Sequence, residues 1–228
     1  MISVAIIGPD GAGKSTITAE LERQPMPAQV KRIYMGVNLE ASSMMLPTTR
    51  LALAVKRARG RRPDMTAPSS AGSAPPGGRP ARRVVKGIAR AARLVMWIAE
   101  EWFRQGVAEF HRRRGAIVVF ARHFYADYYH FDVASGGRRS VSARVHGYLL
   151  EHLYPKPDLV ICLDAPGQVL FDRKGEASPE WLEHRRRQYL ELADQLPDFV
   201  VVDVDRPLDV VTRDVAAAIT QAYEKRSA

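Results

Sequence analysis

Hydrophobic positions follow two rhythms along the chain. Short β-branched or apolar runs occur at ISVAII (residues 2–7), QVKRIYMG (29–36), AIVVF (116–120), PDLVICLD (157–164) and DFVVVD (198–203). Each is too short for a buried helix and is bounded by turn residues, so each predicts a strand. Between them the period lengthens to that of a helix. KSTITAELER (14–23) is stopped by Pro25 and Pro27, and 84–113 repeats Val84, Ile88, Val95, Ile98 and Trp102, with Val107 and Phe110 beyond, up to Gly115. Residues 141–153 are helical in pattern, and 178–196 open with Ser178 as N-cap and Pro179 at the first helical position. An amphipathic segment at 206–225 closes the series, whereas 38–56 is ambiguous, with helical fragments around Leu51–Val55. Strands alternating with helices predict an α/β fold with a parallel sheet covered on both faces.

One stretch has neither rhythm. From about Gly60 to Arg83 Pro, Gly, Ser and Ala dominate, with almost no large apolar side chain. Such a composition buries too little surface to offset its ordering entropy, so an insertion without a packed core is expected at about 57–83 within one domain over 1–228. Lys56, Arg57, Arg59, Arg61, Arg62, Arg82, Arg83 and Lys86 flank it. They make it either a solvated tether or an arm for a polyanion. The net charge of +9 over 228 residues allows both readings, since a basic composition also accompanies some genomes. The single cysteine, Cys162, lies in an apolar run and excludes an internal disulfide. No run approaches the roughly 20 apolar residues of a membrane span, and MISVAII carries no basic leader, so a cytoplasmic location is expected.

The chemistry begins where the first strand ends. Gly8-Pro9-Asp10-Gly11-Ala12-Gly13-Lys14-Ser15, followed by Thr16, satisfies G-x-x-x-x-G-K-[ST] between a predicted strand and a predicted helix. The glycines allow backbone conformations that turn N–H groups inward as an anion nest, and the helix that follows presents its positive end. The motif predicts that Lys14 reaches the β- and γ-phosphates of a nucleotide and that the Ser15 hydroxyl ligates Mg²⁺.

Three stretches resemble the thymidylate kinase-like group of P-loop nucleoside monophosphate kinases: GPDGAGKST, RGAIVVFARHFYAD and PKPDLVICLDAPGQVLFDRKGE. The resemblance implies a P-loop NTPase three-layer sandwich with a five-stranded parallel sheet, transfer of the γ-phosphoryl of Mg-ATP, and a basic lid at about 172–188. By matching position it implies that Asp10 orients the acceptor nucleotide, that Arg122 contacts phosphates, and that Arg173 stands at the lid entrance. Arg185, Arg186 and Arg187 follow in the next helix, where one turn cannot aim all three the same way. Related kinases often dimerise through helices, so a homodimer is a candidate.

Two departures bear on function. The family's aspartate before the arginine is Ala121 here, and Asp127 or Asp164 are the carboxylates that could replace it; either could equally cap or turn the backbone. On the long helix, Glu100 and Glu101 stand roughly where an arginine grips the acceptor phosphate, with Arg104 one turn on as the remaining acceptor-binding cation. His123, in an aromatic position of the family, stacks or fills space. The leading expectation is a kinase of a nucleoside monophosphate, with dTMP as default acceptor. Glu100 and Glu101 motivate a small hydroxyl or sugar acceptor instead, and Ala121 motivates a nucleotide-binding interaction protein with little catalysis.

Overall fold

The computed structural model describes residues 1–36, 45–58, 80–124, 126, 141–196 and 198–227. Strands β1 (Ser3–Ile7), β2 (Val30–Met35), β3 (Ile117–His123), β4 (Leu159–Asp164) and β5 (Phe199–Asp203) form one parallel sheet in the order β2-β3-β1-β4-β5. The helices are α1 (Lys14–Leu21), α2 (Pro47–Ala58), α3 (Pro80–Arg113), α4 (Val141–His152), α5 (Gly167–Lys174), α6 (Pro179–Leu190) with a 3₁₀ turn after it (Glu191–Asp194), and α7 (Leu208–Ser227). This is the α/β architecture of P-loop NTPases, as the alternation of rhythms predicts.

β1 is central because both of its faces are apolar. Ile2, Val4 and Ile6 join Ile117, Val119, Leu159 and Ile161 in the main core, with Ile17, Leu21, Val211, Val215 and Ile219 contributed by α1 and α7. Ala5 and Ile7, of opposite parity, are equally buried. Val4 pairs with Val119 on one side and Leu159 on the other, so the end of β1 is flanked by the ends of β3 and β4. The chain leaves β1 toward β2 and β3 in one direction and reaches β4 in the other. That reversal opens a crevice at the carboxyl ends of the strands, where ligands of open α/β sheets bind.

Where the pattern predicts one domain, the contacts divide the chain into two compact units. One comprises Met1–Met35, Val107–Ala126 and Pro155–Ala228 and holds the whole sheet; the other comprises Gly36–Gly106 and Asp127–Tyr154. α3 starts at Pro80, four residues before the expected helix, because proline is tolerated in a first turn whose N–H groups have no helical partner anyway. Of the expected insertion, 59–79 lies outside the described residues, whereas Arg57 and Ala58 end α2 and 80–83 begin α3. β3 runs three residues past the apolar AIVVF, through Ala121, Arg122 and His123.

Candidate phosphate-binding site

The loop between β1 and α1 is shaped by three glycines at positive φ: Gly8 (140°), Gly11 (89°) and Gly13 (81°). A Cβ on Gly8 would lie 2.5 Å from the Leu163 carbonyl oxygen at the end of β4. A Cβ on Gly11 would lie 2.5 Å from the Leu170 carbonyl oxygen in α5. Only glycine allows this conformation and this proximity together. Gly13 caps α1 in the left-handed region without a side-chain cap, so the first-turn N–H groups of Lys14, Ser15 and Thr16 face outward from an uncapped helix start. Ala12 is buried in the core and fixes the loop from below, and Ser15 and Thr16 are exposed.

Lys14 is only 7% exposed, and its ammonium folds back across the loop, donating to the carbonyls of Gly8 and Pro9 at 2.6 Å each. Phosphate oxygens are acceptors of the same kind. Asp10 collects the cations of the site: Arg122 hydrogen-bonds its Oδ1, with Lys14 Nζ 3.9 Å and Lys174 Nζ 4.0 Å from the same oxygen. Burial would raise the Asp10 carboxyl, but Arg122, Lys14 and Lys174 outweigh it and hold the group below the usual carboxylate range.

Arg122 reaches Asp10 from a bulge. Ile33 pairs with Phe120 and Met35 with His123, so Ala121 and Arg122 together oppose Tyr34 alone. Arg122 takes φ 72°, a conformation costly for a residue with a Cβ, and the bulge turns its side chain toward the loop. Ala121 pairs with Ile6, so a methyl group stands beside β1 where the resembling family carries a carboxylate.

The other residues singled out from the sequence go to different places. Arg173 donates to the Val204 carbonyl at 2.9 Å and sits 3.5 Å from Asp205, at the end of β5. Asp164 receives Arg186 through both oxygens, at 2.6 and 2.8 Å, and does not cap the helix that follows. Glu183 performs that task, accepting from the Gly167 N–H at 3.0 Å. The hydrogen bonds to Asp164 and Glu183, joined by their charge, outweigh burial and push Arg186 upward. Arg185 stacks over Tyr189 at 5.0 Å and donates to Gln188, and Arg187 is exposed. The three tandem arginines thus point three ways, as one helical turn demands.

In the second unit, Arg104 is 1% exposed and donates to the carbonyls of Gly36 (3.1 Å) and Glu100 (3.4 Å). Glu100 accepts from the Thr49 hydroxyl at 2.7 Å and from the Leu46 N–H. Glu101 accepts from the Tyr154 hydroxyl at 2.6 Å and pairs with His146 Nε2 at 3.0 Å. These buried carboxylates are engaged by the unit's own donors, so the observation that suggested a hydroxyl or sugar acceptor has a structural explanation. Asp127 lies outside the described residues. His123 is buried between Phe120 and Phe124, and burial pushes it down to about 3, so it fills space as a neutral ring. Cys162 is buried and pushed up to about 12 by burial and by Asp164, which leaves it a protonated, unreactive core thiol.

Two cations of the site escaped notice in the sequence, or were given the wrong neighbour. Lys174 approaches the loop where Arg173 was expected, and the signal for it is its i+4 relation to Leu170, the residue that touches Gly11. Arg186 grips β4, which no periodicity reveals.

Over 99 residues the chain is 34% identical to a "Probable thymidylate kinase" of Archaeoglobus fulgidus. The match takes in 40% of this chain and 50% of that protein, so the chain spans about half the length of the curated relative it matches. No family model matches the chain. Among the described residues no helix is long and apolar enough to cross a membrane.

Proposed function

We propose that the chain is an ATP-dependent phosphotransferase that moves the γ-phosphoryl of Mg-ATP to a nucleoside monophosphate, with dTMP as the first acceptor to test. The observation that carries this reading is the loop itself. Its Gly8 and Gly11 leave no room for a side chain, its helix start is uncapped, and its lysine is folded over the loop onto acceptor oxygens. The similarity to a probable thymidylate kinase supports the choice of nucleotides as acceptors.

Phosphoryl transfer asks little covalent chemistry of a protein; it asks for alignment and for positive charge placed before the reaction starts. Backbone N–H groups of Gly11 to Thr16 hold the phosphate chain, and Lys14 neutralises its terminal oxygens. Arg122, held at the loop by its bulge, meets charge that develops between donor and acceptor. Asp10 keeps Arg122 in place and offers a carboxylate to an acceptor hydroxyl. The Ser15 hydroxyl, exposed in the first turn of α1, is the residue that would hold Mg²⁺, and the ion would supply positive charge against that of the phosphates.

The deciding assay measures ADP formation with Mg-ATP and a panel of nucleoside monophosphates, for the wild type and Lys14→Ala. Turnover confined to nucleotide acceptors, reduced about 100-fold or more in the variant, is the expected result. Equal rates for the two proteins would remove the loop from the mechanism. Ala121 favours a second reading, a nucleotide-binding protein with little catalysis. Tight Mg-ATP binding with no turnover on any acceptor would select it.

A further inference from the structure

Segment 163–170 supports the phosphate loop through its backbone. The Leu163 carbonyl oxygen lies 2.5 Å from where a Cβ of Gly8 would be, and the Leu170 carbonyl oxygen 2.5 Å from that of Gly11. Both contacts set main chain against main chain, so no side chain can give way between them and a shift of the segment is passed to the loop. What holds the segment is α6. Arg186 donates to both oxygens of Asp164, the residue after Leu163, from Nε at 2.6 Å and from Nη2 at 2.8 Å. Its Nη1 donates to Glu183 Oε1 at 2.9 Å, and the other oxygen of Glu183 accepts from the Gly167 N–H at 3.0 Å. The Pro179 carbonyl leaves Gly167 no room for a Cβ, which seats the start of α5 directly on α6. α6 therefore grips the segment at Asp164 and at Gly167, between the two carbonyls on which the loop glycines rest.

Arg186 lies after α5, in the stretch where the family resemblance implies a basic lid. Its surroundings give it a different task. All three of its guanidinium nitrogens are engaged by carboxylates, and two negative charges face its single positive one, so it brings no surplus positive charge to a phosphate. We infer that Arg186 is a positioning residue for nucleotide binding, acting through Asp164 and Glu183 on the shape of the phosphate loop and not on the transferred group. On the phosphotransferase reading above, on which this rests, the loop is the nucleotide site. A nest of N–H groups holds an anion only at fixed spacing, so loosening its support weakens binding before any chemistry begins. Without the guanidinium, the Asp164 side chain, 15% exposed, loses its bidentate partner next to Leu163. Lysine keeps the charge but offers a point where the site uses a planar fork, so it does not restore the grip.

The test measures affinity for Mg-ADP, which lacks the transferred group, together with melting temperature. It compares the wild type with Arg186→Gln, Arg186→Lys, Asp164→Asn and the double variant Asp164→Asn/Arg186→Gln. Ser178→Ala is the stability control, since it removes the α6 cap on the Trp181 N–H without touching β4. Each of the three single variants at positions 164 and 186 should weaken Mg-ADP binding about tenfold, and the double variant no further than about tenfold, because both residues serve one contact. Ser178→Ala should lower the melting temperature and keep the wild-type affinity. Unchanged Mg-ADP affinity in Arg186→Gln with a fall in turnover would make Arg186 a cation of the transferred group and overturn the assignment. Affinity lost in Ser178→Ala in step with its melting temperature would overturn it as well, leaving a purely structural ion pair. Wild-type binding with unchanged affinity in all three single variants would overturn the role of Arg186 alone; a wild type that binds no Mg-ADP would overturn the kinase reading with it.

Discussion

Single residues at the loop are constrained by more than the phosphate they are suited to hold. Gly8, Gly11 and Gly13 are legible in the sequence as an anion-binding motif, but the reason for Gly11 is not. Its missing side chain is required by α5, a contact between positions 159 residues apart that no local pattern encodes. Gly11→Ala should lower stability by at least about 2 kcal/mol, read as a fall in melting temperature before any nucleotide is added, because it combines a forbidden φ with an overlap on Leu170. His123 gives a second prediction. It is neutral in the folded chain at about 3 and titrates near 6.5 when unfolded, so the unfolded state binds the extra proton between these values. Stability is full above pH 6.5 and falls as the pH drops toward 3, with a slope of up to about 1.4 kcal/mol per pH unit from this group. In His123→Phe, denaturant titrations between pH 7 and 4 should show a shallower slope; an identical one would mean that His123 is not the group responsible.

Elements were legible where a rhythm was strong and both ends were punctuated. β1, β4 and β5 lie within a residue or two of their expected spans; α6 starts where Ser178 predicts, its side chain accepting from the Trp181 N–H, but ends at Leu190, where a 3₁₀ turn takes over to Asp194. β3 exceeded its apolar run because pairing with β2 continues past the bulge, and α2 resolved from an ambiguous stretch because its partners, such as Glu100 for Thr49, are distant in sequence. The pairing of α5 with α6 was hidden for the same reason. Gly167 meets the Pro179 carbonyl, 2.4 Å from where a Cβ would be, and Arg186 then crosses to Asp164 on β4. Both partners of that ion pair are partly buried, and its geometry is bidentate. A double-mutant cycle on Asp164→Asn and Arg186→Gln should give a coupling energy of about 1–3 kcal/mol. A value near zero would reduce the contact to an ordinary surface pair.

At the scale of the molecule, the parallel sheet was legible from the alternation, whereas its strand order and the division into two compact units were not. The second unit enters as two separate stretches, after β2 and after β3, and hydrophobic periodicity does not distinguish a helix that covers a sheet from one that builds a unit of its own. Its buried carboxylates show the limit of reading charge in sequence: Glu100 and Glu101 looked like ligands for a substrate and are satisfied by Thr49, Tyr154 and His146. A ligand that binds only the folded sheet unit should stabilise it by mass action, by about 2.7 kcal/mol at one hundred times its dissociation constant. Mg-ATP should therefore raise the melting temperature of the wild type, and Lys14→Ala should abolish the rise. A shift retained in that variant would place the nucleotide elsewhere.

On the phosphotransferase reading proposed above, the kink at Arg122 sets main-chain relaxation against turnover. Glycine would accept a φ of 72° without steric penalty, so Arg122→Gly relaxes the main chain by about 1 kcal/mol while deleting the guanidinium. Glycine also forfeits the ion pair with Asp10 and adds entropy to the unfolded chain, so selection for heat resistance at this codon weighs about 1 kcal/mol of relaxed backbone against both, whereas selection for product formation keeps the arginine.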